Sequence, residues 1–422
     1  MTYELALSYL AGLNESRIKP GLERIRMALF ALGSPQLKFP HLLVGGTNGK
    51  GSVVAFMGAA LSGAGYRIGL FTSPHLHRFE ERIVIDRNAV ARDEVPGLVQ
   101  AVKDVGVEMT YFEFITVMAL VYFARKSVDL AILEAGLGGR WDATNASDPM
   151  LSVITSVDLD HQDWLGHTLE EIAWEKSGIM RYGKPVVVGP LAAAAREVVL
   201  ERAEAVGARA IEFGKNFSAD RDITGSTLQF ESTKWNIKGL VPGLKGLFQF
   251  NNAACALAAL EVLAASGFEI SEEKAIRGVR SAKWPGRFQE VEGSPLIIVD
   301  AAHNKAAIRA LVASLDEVKQ VVWLFSALSD KDLRAMAGEM TLLGNRFVLV
   351  PLDHRRGRTV RELEEEMPEG ADITKVSNVT QGIEAARRLA GEKGCIVVAG
   401  SVILAGEVLR ELGIQNPEFR IQ

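Results

Sequence analysis

Between His41 and Gly189 the chain alternates short, unbroken apolar runs with longer stretches whose apolar residues return at helical spacing. "HLLVGG" from His41 comes first, and Val53 to Tyr66 follows with Val53, Phe56, Met57, Ala60, Leu61 and Ala64 on one predicted helix face. "RIGLFTS" (Arg67 to Ser73), "VDLAILEAG" (Val128 to Gly136), "LSVITSV" (Leu151 to Val157) and "KPVVVG" (Lys184 to Gly189) continue the series. Strands with no apolar–polar alternation are covered on both faces, which is the condition of a parallel sheet flanked by helices. The pattern therefore predicts a doubly wound α/β domain with a mostly parallel sheet.

From Asp220 to Val241 the pattern changes to short alternating pieces, "STLQFES" and "KWNIKGL", which predict a small antiparallel patch before a helix beginning near Asn251. After "KWPGRFQEVEGSP" a second strand series begins: "LIIVD", "QVVWLF", "RFVLV" and "CIVVAGS". The Pro285-Gly286 pair and the charged residues behind it read as a linker, dividing the chain into 1–284 and a smaller α/β domain at 285–422.

A length of 422 residues suits two cores better than one, and 48% hydrophobic with 23% charged residues excludes a disordered chain. A net charge of -5 offers no general attraction to nucleic acid or to an anionic membrane, so neither is an expected partner. Cys255 and Cys395 sit in apolar stretches and read as buried free thiols of a reducing compartment. The N-terminal residues lack the layout of a signal peptide, and no run approaches the roughly 18 to 20 apolar residues of a membrane span. A cytoplasmic chain is expected, read as a monomer.

"GGTNGKGS" (Gly45 to Ser52) lies between a predicted strand and a predicted helix, where backbone N–H groups and a helix N-terminus can cradle phosphate. Its glycine between Lys50 and Ser52 departs from the usual P-loop spacing. Glu134 ends a predicted buried strand, and ligands in open α/β sheets sit outside such ends. "SVDLDHQDWLG" brings Asp158, Asp160, His161 and Asp163 to another strand end, and "FTSPHLHRFEER" brings Ser73, His75 and His77 to a third. A histidine beside carboxylates at a strand end is a candidate metal ligand.

The ordered motifs "GTNGKGS", "TSPHL", "TYFEF", "LEAGLGGRWDATN", "LDHQDWLG", "EKSGI", "WPGRF" and "DAAHN" resemble those of folylpolyglutamate and dihydrofolate synthases, relatives of the Mur ligases, from about Gly21 to Ser401. The resemblance implies a P-loop ATPase domain followed by a Rossmann-like domain. It also implies an ATP-dependent amide ligase that activates a pteroate or folate carboxylate as an acyl phosphate for attack by L-glutamate. Dihydropteroate or a reduced folate, L-glutamate and ATP are then the partners, with magnesium at two sites. By the same resemblance Ser73, Glu134, His161 and Lys176 hold metal. Gly49, Lys50, Gly51 and Ser52 hold phosphate, while Asn252, Arg287 and Asp300 contact the nucleotide.

An unmodified Lys176 ammonium beside a divalent cation would be repelled, and the family's solution is N6-carboxylation of that lysine. At the pterin end the resemblance names Ile18, Thr110, Tyr111, Phe112, Glu113, Trp141, Asp142 and Ala143. Phe112 and Trp141 are candidates to stack on the ring, with core packing the rival role for Phe112, and Asp142 to accept its N–H groups. "DAAHNK" from Asp300 and Phe248-Gln249 depart from the family's "DGAHNP" and "HQ". His303 either orients or deprotonates the incoming amine or serves as a structural group between the domains. The basic run "DHRRGR" from Asp353 reads as a solvated loop.

Overall fold

The computed structural model describes residues 1–13, 19–222, 225–315 and 318–414. The apolar runs of the first half become strands β1 (His41–Gly45), β2 (Ile68–Phe71), β3 (Ile83–Ile85), β4 (Asn88–Ala89), β5 (Leu130–Glu134), β6 (Leu151–Ile154), β7 (Pro185–Val188) and β8 (Arg209–Glu212). They form one sheet in the order β4-β3-β2-β5-β1-β6-β7-β8. From β2 to β8 neighbouring strands are parallel, whereas β3 and β4 add antiparallel. Every residue of β1 and β5 is buried, which is why their sequences show no alternation. Because β2, β5, β1 and β6 are adjacent and parallel, the segments following them emerge along one edge of the sheet.

The helix expected from Val53 starts at Lys50 and runs to Gly63, and instead of one apolar face it is buried from Gly51 through Leu61. Helices Phe248–Ala265 and Glu272–Ser281 cover the side that an isolated surface helix would give to water. The closest approach is at Gly278, where a Cβ would stand 2.1 Å from Ala60 Cα. Helix Phe248–Ala265 also corrects the hydropathy reading. With 18 residues at a mean hydropathy of 1.2 it is long and apolar enough to cross a membrane, yet 61% of it is buried inside the fold as a core helix.

The alternating pieces form an antiparallel sheet of β9 (Phe217–Arg221), β10 (Leu228–Ser232) and β11 (Asn236–Leu240), in the order β11-β10-β9. The last sheet contains β12 (Gln289–Val291), β13 (Leu296–Val299), β14 (Val321–Phe325), β15 (Arg346–Leu349), β16 (Asp372–Lys375) and β17 (Cys395–Ala399). Its order is β12-β13-β17-β14-β15-β16, parallel except for β12. The expected linker is thus partly structured, since Gln289–Val291 pairs with β13 as an edge strand. Both cysteines are buried and free.

Candidate active site

Beyond β1 the backbone turns through Gly46 at φ +144° and Gly49 at φ +85°. A side chain at Gly46 would meet Thr155 Oγ1 at 2.0 Å, and one at Gly49 would meet Asn252 Oδ1 at 2.2 Å, so both positions need glycine for space as well as for dihedrals. The segment after β6 anchors the loop. Thr47 N–H donates to Ser156 O (2.8 Å), Asn48 N–H to Ser156 Oγ (2.9 Å), and Thr155 Oγ1 to Asn48 O (2.6 Å). Gly49 then caps helix Lys50–Gly63 without a side chain, which leaves the first-turn N–H groups, Ser52 among them, for an anion. Lys50 Nζ arches over the loop and donates to the carbonyls of Gly46 and Thr47, each at 3.0 Å. Asn252 is held beside the loop through Nδ2 to Gln249 Oε1 at 2.9 Å.

Glu134 is buried at the end of β5 and accepts the Ser73 backbone N–H at 3.1 Å. Burial raises its pKa, opposed by Lys50, the Ser73 N–H and Arg287, so these groups share one pocket of charge. Burial likewise lowers the pKa of Lys50, opposed by Glu134 and Asp160. His161 adopts φ +50° at the head of helix Gln162–Leu165. Burial, then the Lys331 ammonium, push its pKa down to about 4, leaving the neutral imidazole that a metal requires.

Lys176 is buried near the end of helix Leu169–Ser177, and its side-chain Nζ has no hydrogen bond or ion pair among the described residues. Burial and the neighbouring charge of Lys50 push its pKa down to about 7, against Asp160, Asp142 and Asp158.

The second domain meets this edge through Asp160. Lys331 Nζ donates to Asp160 Oδ1 at 2.6 Å and Asn304 Nδ2 to Asp160 Oδ2 at 2.9 Å, while His303 Nε2 stands 3.9 Å from Oδ2. Burial acts to raise the pKa of Asp160, but Lys331, His161 and His303 override it and hold the carboxyl well below the usual range. Asn48 of the loop exchanges side-chain hydrogen bonds with Asn304 at 3.2 and 3.0 Å. His303 is fixed by Nδ1 at 2.8 Å from Ala301 O, and its pKa is pushed down to about 4 by burial and Lys331.

Lys331 had no place in the sequence reading, although "SDKD" follows an apolar strand as Asp300 follows another. The run "DHRRGR" leans on the same loop, with Arg356 Nη1 at 3.5 Å from Asp330 and Arg358 Nη2 donating to Lys331 O at 3.3 Å.

Asp300 spends both carboxylate oxygens on the backbone, accepting Phe288 N–H and Ala302 N–H at 2.7 Å each, which holds the interdomain turn carrying Arg287. At the expected pterin end, Phe112 lies over Gly136, where a Cβ would meet its ring at 2.5 Å, and its ring centroid is 5.8 Å from that of Phe71. Thr110 and Glu113 form the capping box of helix Tyr111–Arg125, and Glu113 also pairs with Arg24 at 3.0 Å. Tyr111 is buried beneath the Arg82 guanidinium, 5.4 Å from its ring centroid. Asp142 accepts from Leu137 N–H, Thr144 N–H and Thr144 Oγ1, so it organises its own loop; Ala143 beside it is buried. Trp141 is 44% exposed beneath Arg140, and Ile18 lies outside the described residues.

A Mur ligase middle domain matches residues 44–260 and a Mur ligase glutamate ligase domain matches 286–402, so the chain is an ATP-dependent ligase of the Mur type. The chain is 35% identical over 406 residues to folylpolyglutamate synthase of Lacticaseibacillus casei, covering 92% of this chain and 94% of that one. It is 34% identical over 411 residues to the dihydrofolate synthase/folylpolyglutamate synthase of Escherichia coli, covering 96% and 94%. The Escherichia coli enzyme in complex with DHPP and ADP superposes with a TM-score of 0.90 at 32% identity, over 98% of each chain. A bifunctional enzyme of this kind with Mn, AMPPNP and L-glutamate bound gives 0.88 at 32% identity, again over 98% of each. The chain belongs to the folylpolyglutamate synthase/dihydrofolate synthase family.

Proposed function

We propose that this ligase joins L-glutamate to dihydropteroate, giving dihydrofolate, and extends folates that already carry glutamate. ATP binds on the loop 46–52, with Lys50 exchanging its loop carbonyls for phosphate oxygens and Asn252, Arg287 and the Asp300 turn around the nucleotide. The pterin lies toward Phe112, Trp141 and Asp142. A substrate carboxylate oxygen attacks the terminal phosphorus of ATP and ADP leaves. The glutamate amine then attacks the acyl phosphate, phosphate leaves, and the amine proton passes to His303 Nε2 or to water. Residues 1–284 hold the ATP phosphates and the pterin, and residues 285–422 add Arg287 and the Asp300 turn to the nucleotide and bring in the amino acid.

No group of three or more His, Cys, Asp or Glu gathers to hold a metal among the described residues. Magnesium does not need one, because it binds through one or two carboxylates and completes its shell with water and phosphate oxygens. Glu134, the Ser73 hydroxyl and the neutral imidazole of His161 suit one such ion. A carboxylated Lys176 with Asp158 nearby suits a second. Magnesium there supplies charge neutralisation for phosphoryl transfer.

The observation that carries this reading is the bonding of Asp160 and Asn48, on the nucleotide side, to Lys331 and Asn304 of the other domain. Carboxylate activation and amine delivery then share one closed seam. Mass spectrometry after incubation with dihydropteroate, ATP and glutamate tests it, and the expected product is heavier by one glutamyl residue. Incorporation on tetrahydrofolate alone reduces the activity to chain extension, and incorporation on neither substrate overturns the proposal.

A further inference from the structure

Outside this seam the N-terminal domain has a cavity of about 430 Å³ whose lining includes Arg26, Arg140, Arg181 and Arg202 against one carboxylate, Asp148. None of the candidate phosphate or metal residues lines it. Arg181 pairs with Asp148 at 3.6 Å and Arg140 with Glu175 at 3.7 Å, which leaves the Arg26 and Arg202 charges uncompensated in a concave site, where low-dielectric walls concentrate the field. Arg26 and Arg202 have no ion pair among the described residues, and Arg202 rests on the ring of Trp174 at 4.8 Å. Arg26 is near enough to Arg181 to oppose its charge.

Two of the arginines are rigidly held. Arg181 donates to Asn145 O (3.0 Å), Asn145 Oδ1 (2.7 Å) and Ser147 O (2.9 Å). Arg140 stacks on Trp141 at 4.7 Å, and its Nε is buried with no hydrogen-bond partner, Glu175 being 3.7 Å away. Gln36 also lines the cavity with a buried, unpartnered Oε1, and rotation of that amide presents N–H to the interior. Asn145 Nδ2 donates to Arg140 O and Gly178 O, both at 3.0 Å, tying the cavity wall to the turn that ends the helix bearing Lys176. The site is therefore braced from behind, as a specific anion site requires, and differs from a solvated basic patch.

We infer that this cavity binds a small polyanion, one with several carboxylate or phosphate oxygens that the four arginines share. The volume accommodates a short oligomer. A γ-linked triglutamate is the carboxylate probe, a choice that rests on the proposed glutamate ligase activity, and inorganic tripolyphosphate is the phosphate probe, which does not.

Calorimetric titrations of the full chain with saturating ADP on the nucleotide loop compare wild type with Arg26→Gln/Arg202→Gln, whose side chains lie outside the seam. Saturable binding of at least one probe is expected, weakened about tenfold or more in the double variant. Partial recovery is expected in Arg26→Lys/Arg202→Lys, which keeps charge without the fork. Binding of triglutamate alone identifies a carboxylate ligand, binding of tripolyphosphate alone a phosphate ligand, and either supports the site. Equal affinity in wild type and the Gln variant, or no saturable binding of either probe up to about 1 mM, overturns it. Circular dichroism of both variants guards against misfolding, and since tripolyphosphate binding is independent of ligase chemistry, the site can stand or fall apart from the proposed function.

Discussion

A lysine whose pKa is pushed down to about 7 exists near neutrality as a mixture of ammonium and free amine. The free amine of Lys176 can attack carbon dioxide, forming an N–C bond and releasing one proton, and the resulting carboxylate would be drawn to Lys50 in place of the present repulsion. Protein stripped of carbon dioxide at pH 6 should lose turnover and regain it with bicarbonate at pH 8, because the amine fraction rises as pH passes through 7. Lys176→Ala should lower kcat by about 100-fold or more, with partial rescue by short carboxylic acids. Unchanged turnover would make Lys176 a bystander.

Lys331 offers a second test at this scale. Lys331→Met leaves Asp160 charged and buried without its ammonium partner, at a cost of about 3–5 kcal/mol in urea unfolding, and Asp160→Asn in the same chain should recover much of it. Lys331 escaped the sequence reading because a lysine in a short charged loop resembles any solvated lysine, and its partner lies 171 positions away. Lys50, Glu134 and His161 stand out in sequence by their company, a glycine-rich loop for Lys50, an unbroken apolar run ending in Glu134, and a cluster of carboxylates around His161.

Among elements, the strands absent from the sequence reading lie at or next to sheet edges: β4, β8, β9, β12 and β16 at the ends, with the three-residue β3 beside β4. An edge strand pairs on one side and is only partly covered, so its sequence carries no unbroken apolar run; β16 is "DITK" and β12 is "QEV". The central parallel strands, buried on both faces, announced themselves. Helix Lys50–Gly63 was misread as one-faced for the converse reason, since helices 200 residues downstream cover its outer side. That packing is testable at Gly278. Alanine is favoured over glycine in a helix by about 1 kcal/mol, but here its methyl meets Ala60 backbone at 2.1 Å. Overpacking should win, so Gly278→Ala is expected to destabilise by about 1–3 kcal/mol in urea titrations, whereas a gain in stability would mean the two helices separate at no cost.

For the whole molecule, falling pH acts on histidines that burial keeps neutral. His41 is buried with both ring nitrogens unpartnered, and burial pushes its pKa down to about 4 from an unfolded value near 6.5. The unfolded chain takes the proton first. Its contribution is therefore complete above about pH 6.5 and is lost as pH falls toward 4, by up to about 3 kcal/mol. His161 and His303, also pushed down to about 4, add to the trend. The urea midpoint should fall from pH 7 to pH 5, and His41→Phe should flatten that fall; an unaltered slope would show that His41 takes up its proton as readily in the folded chain as in the unfolded one.

At the seam between the domains Asp160 and Asn48 meet Lys331 and Asn304, beside the place proposed for carboxylate activation. The most direct measurement uses a folate with ¹⁸O in its terminal carboxylate, turned over with ATP and glutamate, followed by mass analysis of the released phosphate. Activation through an acyl phosphate carries one ¹⁸O into phosphate for each amide formed. Amide formation with unlabelled phosphate would contradict it.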